Sequence, residues 1–270
     1  TTGEYVSSIS GTNIDSNTLL LVQSNTTNGS ITFTDDSSSN RAVTVTGPGT
    51  ISHSTTQTNA GSTSLYFANA TLDVPHDVVW NWDSSQSFTM ECYQYLPVME
   101  TWSVFTHSTS GSWGGIGYGF GVHADGSLRL QTSSNSSAGT TANGTAGAVT
   151  ANTWHHIAWV RHGGYFKGYV DGVENFSVSD FDPYDRTVAF QVGSDHQWGR
   201  LSSGYVEMIR VSNIARYTSN NFTPPTAEIF GQSVSATGTL ISTASTADSA
   251  TTTASGVMVY ENSSGTATLG

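Results

Sequence analysis

Short runs in which apolar and polar residues alternate recur along most of the chain, with Gly, Asn, Ser or Pro between them. Such alternation is typical of strands that bury one face, and a helical period is nowhere sustained. Many short strands at this spacing predict an all-β protein built as a two-sheet antiparallel sandwich. The runs lie at residues 31–33, 42–45, 65–67, 88–96, 102–105, 118–122, 128–130, 154–179, 188–192 and 205–211.

The segment 154–179 predicts an antiparallel meander of three strands. Gly163-Gly164 and Asp171-Gly172 are two-residue loops that tolerate positive φ at both positions, as tight hairpin turns require. A first loop of this length places Trp159 opposite Gly168, where we expect the indole ring to cover the bare backbone. The face expected in the core holds Ile157, Trp159, Arg161, Phe166, Gly168 and Val170.

Two motifs of the meander resemble the signature of laminin-G-like domains of the concanavalin A-like lectin/glucanase superfamily. They are Trp154-His155-His156-Ile157-Ala158 and Tyr169-Val170-Asp171-Gly172. Residues 204–212, 215–217 and 221–226 are similar to the closing strand and exit segment of such domains in bacteriophage virion proteins, especially those of marine phages. Residues 19–22 with 28–35, and residues 61–67, are looser matches to the opening strand and to a further strand of that family. The resemblance implies a jelly roll and a structural role for the signature residues Trp154, His156, Trp159, Tyr169, Asp171 and Gly172.

Composition divides the chain into three parts. Residues 1–17 are polar and lack periodicity, which indicates an N-terminal arm or linker. The laminin-G-like domain occupies residues 18–228, and Pro224-Pro225 ends its strands because proline cannot donate to a ladder. Residues 229–270 combine a Ser/Thr-rich linker with strand-like runs that resemble the start of a second small β module. We expect the chain to be one piece of a longer protein.

The charge balance narrows the range of partners. The net charge is −12, from 20 acidic residues against 8 basic ones, and Lys167 is the only lysine. Without a basic cluster to meet phosphates, we expect no binding to nucleic acid. The acidity also disfavours docking on anionic lipid, and no apolar run approaches the roughly 20 residues of a membrane-spanning helix, so we expect no membrane insertion.

Cys92 is the only cysteine, so the chain has no internal disulfide. Its place in an alternating strand predicts a small hydrophobic side chain in the core. The lack of disulfides fits a protein that folds in a reducing host cytoplasm and is carried outside by assembly into a virion. The expected location is therefore the surface of the phage particle, which is extracellular when mature.

Catalytic acids are the first candidates for chemistry in this superfamily. Retaining glycosidases place two carboxylates roughly 5 Å apart, but the Glu-x-Asp-x-Glu type of run that supplies them is missing. Glu207 is a lone acid in an apolar strand, Asp35 and Asp36 point to opposite faces of an extended chain, and residues 180–185 place their acids in a loop. We expect a protein that is not an enzyme, and glycoside hydrolysis is the alternative.

Metal binding is the second candidate for chemistry. His155 and His156 are adjacent in a strand and project to opposite faces, so packing and hydrogen bonding are their expected roles. Calcium is harder to exclude, because loop carboxylates hold it at the rims of similar sandwiches. The best-placed acids are Asp35, Asp36 and Asp195, and the alternative is that all three are solvent-facing turn residues. No cofactor is required by the sequence.

Aromatic residues in Gly-rich loops are the candidates for glycan binding. Trp113 with Tyr118 is one expected platform, because sugar rings pack their C–H faces on an indole. His196, Trp198 and Arg200 form a second candidate loop after the run at 188–192. The alternative is that either tryptophan plugs the edge of the sandwich or is buried against a neighbouring subunit.

The sequence thus predicts a non-enzymatic structural protein of a phage virion, as a tail fibre, an appendage or a capsid decoration. Its lectin-like domain is expected to bind host-surface glycans. A purely architectural module for oligomerisation without a ligand is the main alternative. Expected partners are other virion proteins, further copies of the chain and a cell-surface polysaccharide.

Overall fold

The structure is a computed structural model and describes residues 14–83, 85–109, 116–133, 139–179, 183, 185–193 and 203–225. These residues form fifteen strands and one 3₁₀ turn at Val78–Trp80. The strands are β1 (Thr18–Val22), β2 (Thr44–Thr46), β3 (Thr50–Ser54), β4 (Ser64–Ala68), β5 (Thr71–Val74), β6 (Phe88–Tyr95), β7 (Trp102–Ser108), β8 (Ile116–Val122), β9 (Leu128–Ser133), β10 (Gly139–Asn143), β11 (Trp154–His162), β12 (Tyr165–Val170), β13 (Val173–Ser179), β14 (Phe190–Val192) and β15 (Ser203–Ser212). Within the described ranges, no helix is long and apolar enough to cross a membrane.

The strands form two antiparallel sheets that pack face to face. The larger sheet runs β13-β12-β11-β6-β15-β4-β3, with β1 also paired to β15, and the smaller runs β10-β9-β8-β7-β14-β5-β2. Trp159 of the larger sheet stacks on Phe120 of the smaller at 5.8 Å and meets Phe105 edge-on at 5.9 Å. All three side chains are at most 1% exposed. The predicted all-β jelly-roll sandwich is confirmed.

Strands β11 and β12 of the meander pair in the predicted register, with His162 opposite Tyr165, and β13 follows as the third strand. Both turns, Gly163-Gly164 and Asp171-Gly172, have positive φ at both central residues, as in a type I′ hairpin. Trp159 pairs with Gly168 as expected, but the ring that covers this glycine belongs to Phe176. A Cβ atom on Gly168 would lie 2.3 Å from Cε1 of Phe176. Trp159 instead fills the space between the sheets.

The strand predicted at residues 31–33 is wrong, and three strands lack a prediction. Ile31 is 73% exposed, and the carbonyl of Thr32 accepts a hydrogen bond at 2.9 Å from a side-chain atom, Nε2 of His53 in β3. The strands β3, β5 and β10 lie in Thr-rich stretches where apolar alternation is too short to stand out. Their place in the sheets is set by non-local pairing.

The two ends of the sandwich are called the Gly163 end and the Gly172 end, after the two turns of the meander. At the Gly163 end, β11 passes into β12 and β6 begins, since Phe88 pairs with Arg161. The strand β1 also begins there, because Thr18 pairs with the last residue of β15. The chain therefore enters the domain at the Gly163 end.

The chain leaves the domain along residues 213–225, called the exit strap. Arg216 pairs with Asp15 at the Gly163 end, with Nη2 and Oδ1 2.8 Å apart. The strap then crosses the outer face of the larger sheet, and the backbone N–H of Phe222 donates to the carbonyl of Gly172 at 2.9 Å. Its apolar contacts on the sheet are Ala158, Val160 and Tyr169. The chain thus enters and leaves at opposite ends.

Candidate functional site

Asp171 joins the second turn of the meander to the start of β11. Its Oδ2 accepts a hydrogen bond from Nδ1 of His155 at 2.7 Å, and its Oδ1 accepts from the backbone N–H of His156 at 2.9 Å. Because the N–H of Thr150 donates to Nε2 of His155, the imidazole proton lies on Nδ1. Burial alone would raise the pKa of Asp171, but these hydrogen bonds outweigh burial and hold the pKa below its usual range.

Glu91 is fully buried under the exit strap and lies at the centre of a charged network. Arg210 donates from Nε to Oε1 at 2.7 Å, while His156 and Tyr217 donate to Oε2 at 2.9 and 2.6 Å. Burial alone would raise the pKa of Glu91, but the hydrogen bond from His156 and the charge of Arg210 lower it to about 2. The two signature histidines therefore lie on opposite faces and each serves the fold.

Gly172 is the point where the exit strap meets the meander. Its φ is +79°, and a Cβ atom there would lie 1.9 Å from the carbonyl oxygen of Phe222. Both the backbone conformation and the close contact require glycine. The Asp-Gly part of the signature therefore holds the strap as well as the turn.

Glu207, the lone acid of β15, is bound by a loop. Its Oε1 accepts from the backbone N–H of Asn59 at 2.7 Å, and its Oε2 accepts from those of Ala60 and Gly61 at 3.0 and 3.4 Å. Three backbone donors on one carboxylate indicate that Glu207 anchors the loop. In the described ranges, the three buried carboxylates each have their own donors, as Glu91, Glu207 and Asp35 do.

Among the acids predicted to hold calcium, Asp35 has its oxygens engaged by other groups. Asp35 is 3% exposed, and its oxygens accept from the backbone N–H groups of Leu21, Ser37 and Arg41, each at 2.9 Å. N–H groups aimed at a carboxylate occupy the lone pairs that a cation needs. Asp36 is exposed, and Asp195 lies outside the described residues. No group of three or more His, Cys, Asp or Glu in the described ranges could hold a metal ion.

The prediction that Tyr118 forms part of a glycan-binding platform is wrong. Its side chain is 1% exposed and stacks on Phe120 at 5.3 Å, because position 118 falls on the inner face of β8. Burial raises the pKa of the Tyr118 hydroxyl far above its usual range. The other predicted glycan-binding residues lie outside the described part of the chain, namely Trp113, His196, Trp198 and Arg200.

The two predicted loops leave the sandwich from opposite ends. Strand β14 runs antiparallel to β7, with Val192 opposite Phe105, so the loop after β14 departs where β7 begins. The loop that carries Trp113 follows the far end of β7. Strand β15, the next strand after β14, begins at the Gly172 end, where Tyr205 pairs with Tyr95.

A row of four aromatic side chains crosses the larger sheet at the Gly172 end. Tyr66 of β4, Tyr205 of β15, Tyr95 of β6 and Trp154 of β11 lie opposite one another in register. Successive ring centroids are 4.8, 5.9 and 5.7 Å apart. These four residues, called the aromatic row, are half-buried and face outward. The neighbours of the three tyrosines along the chain include the core residues Leu65, Phe67, Leu96 and Val206, and Trp154 is paired with Tyr95.

The polar atoms of the aromatic row are neutral. Tyr95 donates from its hydroxyl to Oδ1 of Asn152 at 3.3 Å. Burial and the neighbouring Tyr66 raise the pKa of Tyr205, so its hydroxyl stays protonated at ordinary pH. The indole Nε1 of Trp154 is buried, which leaves ring carbon as the exposed part of that side chain. The row is an apolar strip edged with hydroxyl and amide groups.

Residues 67–219, more than half of the chain, match a laminin-G family model of the concanavalin A-like lectin/glucanases superfamily. The chain belongs to this superfamily. The match includes the strands of the meander, the Glu91 network and three members of the aromatic row. No curated protein matches the sequence.

Solved structures with this superfamily's fold include toxin binding domains. The binding domain of Paraclostridial Mosquitocidal Protein 1 is 11% identical, with a TM-score of 0.58 over 74% of this chain and 50% of that one. A botulinum neurotoxin type C that depends on two ganglioside molecules to enter cells is 12% identical, with a TM-score of 0.55 over 76% and 49%. The chain spans about half of each toxin domain, and at this identity the likeness concerns the fold alone.

Sequence reasoning missed the aromatic row because its members come from four distant segments. A signal does exist in each of them. Outward positions of a half-buried strand are usually polar, whereas Tyr66 and Tyr205 are aromatic at such positions. The pairing that brings them to Tyr95 and Trp154 could be known only from the strand order.

Proposed function

We propose that this protein is a non-enzymatic component of a phage virion whose lectin-like domain binds host-surface glycans through the aromatic row. The aromatic row carries the proposal, because it presents four half-buried rings in register at one end of the sandwich. Aromatic faces pack on the C–H faces of sugars, while adjacent hydroxyl and amide groups bond to the sugar hydroxyls.

The proposal includes no catalysis and no cofactor. Glu207, the acid that a glycosidase would use, is bound by three backbone N–H groups. A catalytic acid must give or take a proton at the substrate, whereas both oxygens of Glu207 are already bound to the backbone of a loop. Toxin domains of the same fold that interact with gangliosides and with protein receptors also support a binding role.

The virion part of the proposal is supported by the path of the chain and by the likeness of its closing segment to phage proteins. A domain that the chain enters at the Gly163 end and leaves at the Gly172 end fits between further modules of an elongated fibre or appendage. The expected partners are other virion proteins and copies of this chain, and the expected location is the particle surface.

The glycan role is tested by measuring binding to an array of bacterial-surface polysaccharides with the wild-type protein and with Tyr205→Ala. Tyr205 contacts both Tyr66 and Tyr95, so its removal breaks the row at its centre. We expect binding to weaken about tenfold, equivalent to about 1.4 kcal/mol. Tyr165→Ala is the matched control, since Tyr165 is 49% exposed at the Gly163 end.

Equal binding by both variants would place the glycan site elsewhere. Absence of binding to every polysaccharide, with Tyr205→Ala disturbing particle assembly, would favour the architectural alternative. Release of sugar that Glu207→Gln abolishes would favour glycoside hydrolysis. Thermal unfolding of each variant checks that a loss of binding does not reflect a loss of fold.

A further inference from the structure

We infer that the aromatic row takes an uncharged polysaccharide chain that lies across the strands, with about one sugar ring over each aromatic ring. This inference rests on the proposed glycan role and adds the chemical class and the direction of the ligand. Three observations carry it: the spacing of the rings, their relative tilt and the charges around them.

The distances between successive rings of the aromatic row reflect the distance between neighbouring strands. Its members lie on adjacent strands, and neighbouring strands of a sheet are about 4.8 Å apart. The observed centroid distances of 4.8 to 5.9 Å follow from this pitch. One pyranose unit of an extended polysaccharide is of similar length, so a chain that runs across the strands meets a new ring with each new sugar.

The tilt of the rings favours a single twisted chain over a flat surface. The ring planes of Tyr66 and Tyr205 differ by 33°, those of Tyr205 and Tyr95 by 79°, and those of Tyr95 and Trp154 by 53°. A crystalline polysaccharide needs coplanar rings, whereas a single chain rotates from one sugar to the next. The hydroxyl of Tyr95 and the amide of Asn152 lie within hydrogen-bond distance of each other and can serve the edge of such a chain.

The charges of the larger sheet's outer face disfavour an acidic ligand. Its described cations are engaged elsewhere: Arg210 holds Glu91, and Lys167 holds Glu174 at 2.7 Å. Glu207, the anion of this face next to the row along β15, adds negative potential, and the whole chain carries a net charge of −12. A carboxylated or sulfated sugar would therefore meet repulsion without a described counter-charge.

The test compares neutral hexose oligosaccharides of increasing length with oligosaccharides that contain uronic or sialic acid. We expect affinity for the neutral series to rise up to about four sugars, one per ring, and then to level. Raising NaCl from about 0.05 M to about 0.5 M should change this affinity less than about twofold, since no ion pair is formed. Tyr205→Ala should weaken it about tenfold, and Tyr205→Phe, which keeps the ring, should weaken it far less.

Three further results decide between this inference and the broader proposal. Preference for an acidic glycan, lost at high salt and in Arg200→Gln but kept in Tyr205→Ala, would overturn the inference and leave a glycan-binding protein. Arg200 is the cation to change, because it lies a short way before Tyr205 in the sequence. Failure to bind any sugar, neutral or acidic, would overturn both. An affinity that does not depend on oligosaccharide length would contradict the arrangement of one sugar over each aromatic ring.

Discussion

The contact between Gly172 and the exit strap leads to a quantitative prediction for Gly172→Ala. The new methyl group would lie 1.9 Å from the carbonyl oxygen of Phe222 and 3.1 Å from Cδ of Pro224. Neither atom belongs to a flexible side-chain end, so the strap must move away. The hydrogen bond from the N–H of Phe222 to the carbonyl of Gly172 is then weakened or lost.

The magnitude follows from three contributions. An alanine at positive φ costs about 1–2 kcal/mol, overpacking costs about 1–3 kcal/mol and one hydrogen bond contributes about 1 kcal/mol. Alanine also reduces the conformational entropy of the unfolded chain, which stabilises the folded state by about 0.4–1 kcal/mol and offsets part of this cost. We expect Gly172→Ala to lower the free energy of unfolding by about 3–4 kcal/mol, which lowers Tm by roughly 10 °C in a domain of this size.

Gly164→Ala is the matched control. Gly164 is also the second residue of a two-residue turn with φ +83°, but a Cβ atom there would meet nothing within 4 Å. It measures the conformational cost alone, which we expect to be about 1 kcal/mol. Urea unfolding of both variants gives the difference, and limited proteolysis should cut the strap of Gly172→Ala first. Equal destabilisation by the two substitutions would refute the packing of the strap on Gly172.

Three further predictions concern buried polar groups. The pKa of Glu91 is lowered from 4.5 to about 2, so ionised Glu91 contributes roughly 3 kcal/mol to the free energy of unfolding. This contribution is complete above pH 4.5 and is lost as the pH falls toward 2. Acid titration of Glu91→Gln should show a flatter stability profile, and an unchanged slope would contradict the network. Glu207→Gln should cost about 1–3 kcal/mol in urea unfolding and leave glycan affinity unchanged, since its donors belong to the loop at Asn59–Gly61. Burial raises the pKa of the Cys92 thiol, so a thiol reagent should label it no faster than the domain unfolds; rapid labelling of the folded protein would show that the site is open.

The parts of the fold that the sequence predicted are those with short-range determinants. The meander is the best case, because both of its turns have two residues and the first fixes the register of β11 and β12 over the whole pair. Cys92 was assigned to the core from alternation alone and is fully buried. Local chemistry was sufficient in both cases.

The parts that were missed depend on contacts between distant segments. Phe176, not Trp159, covers Gly168, because the register of β12 and β13 shifts after that glycine. A bulge of this kind leaves no mark in the alternation of either strand. Tyr118 was placed in a loop platform, whereas β8 begins at Ile116 and turns the tyrosine inward.

The sequence predicted the type of residue in the candidate site, but not its position in the fold. Aromatic residues were expected to bind sugar from loops, where a tryptophan is conspicuous. The row uses single aromatic residues at outward positions of four strands, and only the strand order brings them together. The loop with Trp198 and Arg200 joins strands at the same end as the row, so that prediction stays open.

The opposite positions of the two chain connections decide how the domain responds to tension. A force that separates its neighbours pulls β1 outward at the Gly163 end, parallel to its own axis. The hydrogen bonds between β1 and β15 are then strained together in shear instead of opening one after another. At the other end, the load passes first to the strap, while the Arg216–Asp15 ion pair ties the start of the strap to the entering chain. Such a module resists stretching along the axis that joins its two chain connections.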